Sequence, residues 1–132
     1  MLRGLGTISN MKKILFIEDE SALQKTFGDI LKSKGYEVIK ALDGESGLRL
    51  AKEERPDLIL LDLILPRMDG FNVLKGLKAS EETKSIPVII LTNLEETEDI
   101  QKALELGATT YLVKSSYTLE EVVNKIEKAL EE

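Results

Sequence analysis

Four short apolar runs in this sequence each close on a side chain able to do chemistry. Ile14-Leu15-Phe16-Ile17 runs into Glu18-Asp19, and Leu58-Ile59-Leu60-Leu61 into Asp62. Val88-Ile89-Ile90-Leu91 runs into Thr92, and the segment from Thr110 to Val113 into Lys114. Three carboxylates brought together repel one another, and a bound hard cation relieves that. Mg²⁺ takes oxygen ligands, usually one or two carboxylates with waters and phosphate oxygens. A carboxylate is also a nucleophile toward phosphorus, giving an aspartyl-phosphate. Phosphoryl transfer needs positioning and charge neutralisation more than acid–base chemistry; a lysine ammonium and a threonine hydroxyl supply both. Singly, each residue has a plainer reading. An Asp after a strand is ordinarily a turn or helix cap, and Glu18-Asp19 suits the positive end of a following helix. Thr92 alone is a strand-end hydroxyl, and Lys114 a solvated lysine. Their joint occurrence at successive strand ends favours a phosphoryl-acceptor site centred on Asp62.

The elements that must hold these residues follow from periodicity. The run from Leu58 to Leu61, bounded by Pro56-Asp57 and Pro66, suits a strand buried on both faces of a parallel sheet. Ser21 with Gln24 predicts a capping box, and Leu23, Phe27, Ile30 and Leu31 share one helix face. Gly35 stands where that helix ends. Glu37 to Ala41 reads as a strand, and Leu48 and Ala51 mark a helix reaching about Glu54. Asp69 caps a helix carrying Phe71, Leu74 and Leu77. Ile100, Ala103, Leu104 and Leu106 predict a helix stopped by Gly107; Gly70 and Gly107 read as backbone necessities. Thr118 and Glu121 form a second capping box, before an amphipathic helix with Leu119, Val122, Val123, Ile126, Ala129 and Leu130 on its apolar face. Five β-α units in succession imply an α/β fold, a doubly wound parallel five-stranded sheet covered on both faces. Right-handed crossovers leave few topologies. The flavodoxin-like (βα)5 order 2-1-3-4-5 brings the first and third strands together at the switch point, where Glu18, Asp19 and Asp62 would meet.

Composition removes rival chemistries. Among 132 residues there is no cysteine and no histidine, so disulfides, thiolate metal sites, a histidine base and histidine metal ligands are all excluded. The formal net charge of −6 makes direct nucleic-acid binding by this domain a poor expectation. No apolar run approaches the roughly 20 residues that span a bilayer, and residues 1–10 lack the apolar block of a signal peptide. They read as an upstream start or an expression remnant, with one domain over 11–132. A cytoplasmic location is expected.

The blocks Ile17-Glu18-Asp19-Glu20, Asp62 through Pro66-Arg67-Met68-Asp69-Gly70, Pro87 to Thr92, and Gly107 to Lys114 resemble the receiver domain of two-component response regulators. The resemblance runs from about Met11 to Leu130. It implies that Asp62 accepts a phosphoryl group from a sensor histidine kinase or a histidine phosphotransfer protein, the domain catalysing its own phosphorylation and dephosphorylation. It implies Mg²⁺, or Mn²⁺ in its place, on Asp19, Asp62 and the backbone carbonyl of Ile64, with Glu18 completing the acidic pocket. Lys114 would pair with the phosphoryl oxygens. Thr92 would move to hydrogen-bond them, and Tyr111 would swing inward as the second switch residue. The surface of the fourth helix, fifth strand and fifth helix would then engage an unidentified target protein or a second copy.

Three departures from the family pattern stand out. Ser115 follows Lys114 where the family usually has a cis proline. A cis bond without proline costs roughly 2.5–4 kcal/mol, so a trans bond is expected. Asn93 replaces a small residue and is expected to narrow access to Asp62. Ile64 and Leu94 are apolar at positions that tune family dephosphorylation, so slow self-hydrolysis is expected. The rival readings are a degenerate receiver that binds partners without phosphorylation, a haloacid-dehalogenase-type phosphatase and a flavodoxin. Ile64 stands where the phosphatase needs a second acid, and Glu18-Asp19-Glu20 would repel a flavin phosphate. The chain stops soon after the fifth helix, which suits either a free-standing regulator or one cut from a longer protein.

Overall fold

Alternation along the strands builds the sheet. The computed structural model describes residues 11–131, so the extension expected over residues 1–10 lies outside the described residues. In chain order the elements are β1 (Lys13–Ile17), α1 (Ser21–Ser33), β2 (Glu37–Ala41), α2 (Gly44–Glu54) and β3 (Leu58–Leu61). Then come α3 (Gly70–Ala79), β4 (Val88–Thr92), α4 (Thr97–Glu105), β5 (Thr110–Val113) and α5 (Leu119–Glu131). All strand pairs are parallel, in the order β2-β1-β3-β4-β5. This is the flavodoxin-like arrangement that the five β-α units predict.

Successive strand residues point to opposite faces, so the sheet feeds two cores. Leu15, Ile17, Ile59, Leu61, Val88 and Ile90 pack with Ala51 of α2, Val73, Leu74 and Leu77 of α3, and Ala103 of α4. Ile14, Phe16, Leu58, Leu60, Ile89 and Leu91 pack with Phe27 and Leu31 of α1 and Val122, Val123 and Ile126 of α5. Each fully buried Leu or Ile contributes about 1.5–3 kcal/mol. β3 is buried at every position, and that apolar burial is what offsets the cost of holding charge at its end.

Local signals end the helices as expected, with one exception. Asp69 accepts from the Asn72 N–H at 3.0 Å. Thr118 and Glu121 exchange their capping bonds at 2.8 and 3.1 Å. Gly35 and Gly107 adopt φ of 95° and 108°. Beyond each, the chain closes back on the helix, with Tyr36 N–H to Leu31 O and Ala108 N–H to Ala103 O, the bonding that left-handed glycine permits. The Ser21–Gln24 capping box does not form: Glu20 is the N-cap, without a side-chain cap. Gln24 turns inward instead, where its amide donates to three main-chain carbonyls. The apolar pattern of α4 also overstates its burial, since Leu104 is 46% exposed.

Gly70 positions the site directly. Its N–H donates to Leu63 O at 2.9 Å, folding the chain back just after Asp62. A Cβ there would overlap the Leu63 Cα and the Asp62 carbonyl oxygen, neither of which can yield. Gly70→Ala is therefore expected to lower stability by about 1–3 kcal/mol, read as an earlier urea midpoint. An unchanged midpoint would contradict this packing.

Candidate functional site

The carboxyl edge of the sheet collects the acidic residues because adjacent strands end at the same level. Ile17 is paired with Leu61, so the residues that follow them, Glu18 and Asp62, emerge side by side. Carboxylate oxygens of Glu18, Asp19 and Asp62 lie within 4.8 Å of one another. Glu18 is 1% exposed and Asp62 is 4% exposed, whereas Asp19 is exposed. Thr92, buried at the end of β4, is paired with Val113, the residue before Lys114. The two cores therefore deliver Glu18, Asp19, Asp62, Thr92 and Lys114 to one edge.

Lys114 enters the pocket from the turn after β5. Its ammonium Nζ donates to Asp62 Oδ2 at 2.9 Å and lies 2.8 Å from Glu18 Oε1. The Glu18 contact is a close ion pair without hydrogen-bond alignment, so buried Oε1 has no aligned donor. Glu18 Oε2 accepts from the Glu20 N–H at 3.0 Å, and Asp62 Oδ1 from the Ile64 N–H at 3.2 Å. That last bond holds the main chain of Ile64 beside the carboxylate. Residues Lys114–Ser116 form a short 3₁₀ turn, and no described peptide bond is cis, in line with the trans Lys114–Ser115 bond that serine predicts.

Titration follows burial and pairing. Desolvation pushes the Glu18 carboxyl up from its ordinary 4.5; Lys114 and the Glu20 N–H oppose this, and the Asp62 charge adds to it. Burial alone would depress the Lys114 ammonium, but close pairing with Glu18 and Asp62 reverses it and leaves the pKa raised. Oxygen donors only, close spacing and one buried oxygen without an aligned donor suit a hard divalent cation.

Around this pocket, Leu94 links two of the sequence-identified residues. Its N–H approaches Thr92 Oγ1 at 3.4 Å, a long contact, while its carbonyl accepts from the Tyr111 hydroxyl at 2.8 Å. Tyr111 is half-buried against the α2–α3–α4 core rather than free. Burial, with the Asp99 and Asp62 charges, pushes its phenol up to about 12. Asn93, expected to narrow the entrance, is itself exposed. The residue that sequence reasoning missed is Gln24, 2% exposed. Besides the spacing from Ser21 that predicts a cap, its sequence signal is a polar residue on the apolar face of α1, between Leu23 and Phe27.

Two measurements follow from these environments. The folded state holds the Glu18 proton more tightly than the unfolded chain. The associated stability is present below pH 4.5 and is lost as pH rises through the folded value. Glu18→Gln should therefore melt a few degrees above the parent at pH 7 in chelator; a lower melting point would contradict the burial cost. In an alkaline absorbance titration, one phenol should ionise near pH 12 and vanish in Tyr111→Phe. Stability linked to that phenol falls between pH 10 and 12. A Tyr111 midpoint at the ordinary value of 10 would contradict the buried, bonded hydroxyl.

Comparison with known proteins agrees with this geometry. The sequence model of the family described as "Response regulator receiver domain" matches residues 14–127. The DNA-binding dual master transcriptional regulator RpaA of Synechocystis sp. is 39% identical over 120 residues, covering 91% of this chain and 49% of RpaA. The chain thus spans about half the length of that relative or less of several other transcriptional regulators it matches. Sporulation initiation phosphotransferase F of Bacillus subtilis is 35% identical over 119 residues, 90% of this chain and 94% of that protein. The receiver domain of the sensor histidine kinase PA1611 from Pseudomonas aeruginosa PAO1, solved with magnesium in its active-site cleft, superposes with a TM-score of 0.83. It is 30% identical and covers 92% of this chain and 99% of that one. With the parallel 2-1-3-4-5 sheet and the acidic edge already described, these matches lead to one conclusion: the chain belongs to the response regulator receiver domain family.

Proposed function

We infer that this domain is a phosphorylation-dependent signalling switch with Asp62 as the phosphoryl acceptor. One observation carries the reading: a nearly buried carboxylate, flanked by Glu18 and Asp19, with a lysine ammonium 2.9 Å away. Burial strips water from Asp62, and the Ile64 N–H and Lys114 orient its two oxygens. An Asp62 oxygen attacks phosphorus, the bond from phosphorus to the donor's imidazole nitrogen breaks, and the aspartyl-phosphate forms. Lys114 then neutralises part of the added charge. Glu18, Asp19, Asp62 and the Ile64 carbonyl would hold Mg²⁺, or Mn²⁺ in its place; when bound it supplies charge neutralisation for the phosphoryl oxygens.

Thr92 and Tyr111 would relay the event. A phosphoryl group on Asp62 offers the Thr92 hydroxyl an acceptor to donate to, against which the long contact that Thr92 Oγ1 accepts from the Leu94 N–H is weak. Shifting Thr92 disturbs the Leu94 peptide, to which Tyr111 is tied. The signal would leave through the surface of α4, β5 and α5, to a target protein or a second copy of the domain. A local charge change biasing one loop and ring is sufficient for such a switch. The phosphodonor would be a histidine kinase or a histidine phosphotransfer protein in the cytoplasm. Among the described residues no helix is long and apolar enough to cross a membrane. Apolar Ile64 and Leu94 offer no group to orient an attacking water, so the phosphorylated form would be long-lived.

Incubation with Mg²⁺ and acetyl phosphate tests the reading. Intact mass should show one added phosphoryl group, absent in Asp62→Asn and absent in chelator. No adduct under rapid trapping, with Mg²⁺ binding shown separately, would instead favour a degenerate receiver that acts by binding alone.

A further inference from the structure

Gln24 is a buried polar side chain that the phosphoryl-acceptor chemistry does not use. It sits one turn into α1, where the capping box fails, and its amide points under the acidic edge. Nε2 donates to Phe16 O at 2.8 Å, to Glu18 O at 3.1 Å and to Ala41 O at 3.1 Å. Two N–H groups are thus shared among three carbonyls, two on the β1 segment and one at the end of β2. The other end of the amide, Oε1, is buried without a partner. The amide cannot sit the other way round, since Oε1 would then face three acceptors. An apolar residue would suit this face of α1 better, so the amide has a purpose other than packing.

The geometry at residue 18 shows what that purpose is. The Glu18 N–H donates to Ala41 O at 2.9 Å, and the Glu18 carbonyl accepts from Gln24. That carbonyl belongs to the peptide unit joining Glu18 to Asp19. Peptide units are planar, so holding the carbonyl direction restrains the plane and the adjoining backbone torsions, from which the two acidic side chains depart. No other hydrogen bond to the Glu18 carbonyl is present among the described residues. The contact to Ala41 ties the same plane to β2, and the contact to Phe16 ties it to the core strand.

We propose that Gln24 is a positioning residue: its amide sets the Glu18–Asp19 peptide plane and thereby the divalent-cation affinity of the acidic pocket. The proposal rests on the reading of that pocket as a cation-dependent phosphoryl-acceptor site. Groups that hold metal ligands in place typically change metal affinity by about 10–100-fold when removed. Gln24 acts in that manner through a carbonyl, without touching ion or substrate.

Gln24→Met keeps length and flexibility but removes both donors. Leu31→Ala, a core change on the same helix, serves as the control for loss of stability alone. Mg²⁺ affinity is read by calorimetry in the parent and both variants at a temperature where all are folded. Gln24→Met should bind Mg²⁺ about tenfold or more weakly, while Leu31→Ala stays within about twofold of the parent whatever its melting point. Equal Mg²⁺ affinity in Gln24→Met and parent would overturn the proposal alone. A parent that binds no Mg²⁺ would overturn the proposal together with the reading of the pocket. Should Gln24→Met not fold, the parent suffices. Its two glutamines, Gln24 and Gln101, give two side-chain amide signals under selective ¹⁵N-glutamine labelling. The Gln24 pair should be protected from exchange and should shift with Mg²⁺ along the calorimetric binding curve, with exposed Gln101 unmoved. A Gln24 amide exchanging as fast as Gln101 and blind to Mg²⁺ would overturn it equally.

Discussion

Carboxylates can be held at the end of a dry sheet only if positive charge is held among them. Glu18 and Asp62 are both nearly buried, and the ammonium of Lys114 lies within 3 Å of an oxygen of each. Taking an ionised carboxylate out of water costs several kcal/mol unless it is paired. One lysine between two acids compensates incompletely, which is why burial still leaves Glu18 with a raised pKa. The pocket is therefore short of positive charge, and a second cation or a change in charge on Asp62 acts on it strongly.

The apolar sheet pays for this arrangement. β3 and its neighbour β4 are buried at every position, and β1 at every position but Lys13. Main-chain bonds at the edge then set the acids at fixed separation: Asp62 N–H to Ile17 O at 3.0 Å and Glu18 N–H to Ala41 O at 2.9 Å. Gly70 permits the tight return after Asp62. On the opposite side of the pocket the structure is looser. The loop from Asn93 to Glu96 is joined to the site through the main chain of Leu94, by one long contact and one good hydrogen bond. Rigid acids and a lightly tethered loop are the two parts that the proposed charge-driven switch needs, since a fixed core cannot respond and a fully mobile loop cannot transmit.

α4 has little burial holding it. Ala103 is its only buried residue and Leu104 faces outward. Its attachment to α3 includes the Lys102 ammonium 4.3 Å above the Phe71 ring, an interaction worth about 0.5–1 kcal/mol at an exposed site. In the proposed switch, an element secured this lightly would follow a rearrangement of Tyr111 and Leu94.

Strand positions, the parallel order and the acidic edge were legible in the sequence because they follow from short-range rules. Runs of apolar residues set strands, β-α alternation sets a parallel sheet, and a strand's last apolar residue determines which side chain reaches the edge. Asp62, Glu18, Asp19 and Lys114 could be named on that basis, and the caps at Asp69 and Thr118 on the basis of spacing alone. Gln24 could not be assigned from its neighbours. Spacing from Ser21 predicts a cap, but the carbonyls of Phe16, Glu18 and Ala41 converge only after β1 and β2 have paired, and they capture the amide. The tether of Tyr111 to Leu94, the unaligned Glu18 oxygen and the exposure of Leu104 likewise depend on what lies opposite in space. Local pattern decided which residues reach the edge; only tertiary packing decided which polar groups there find hydrogen-bond partners and which do not.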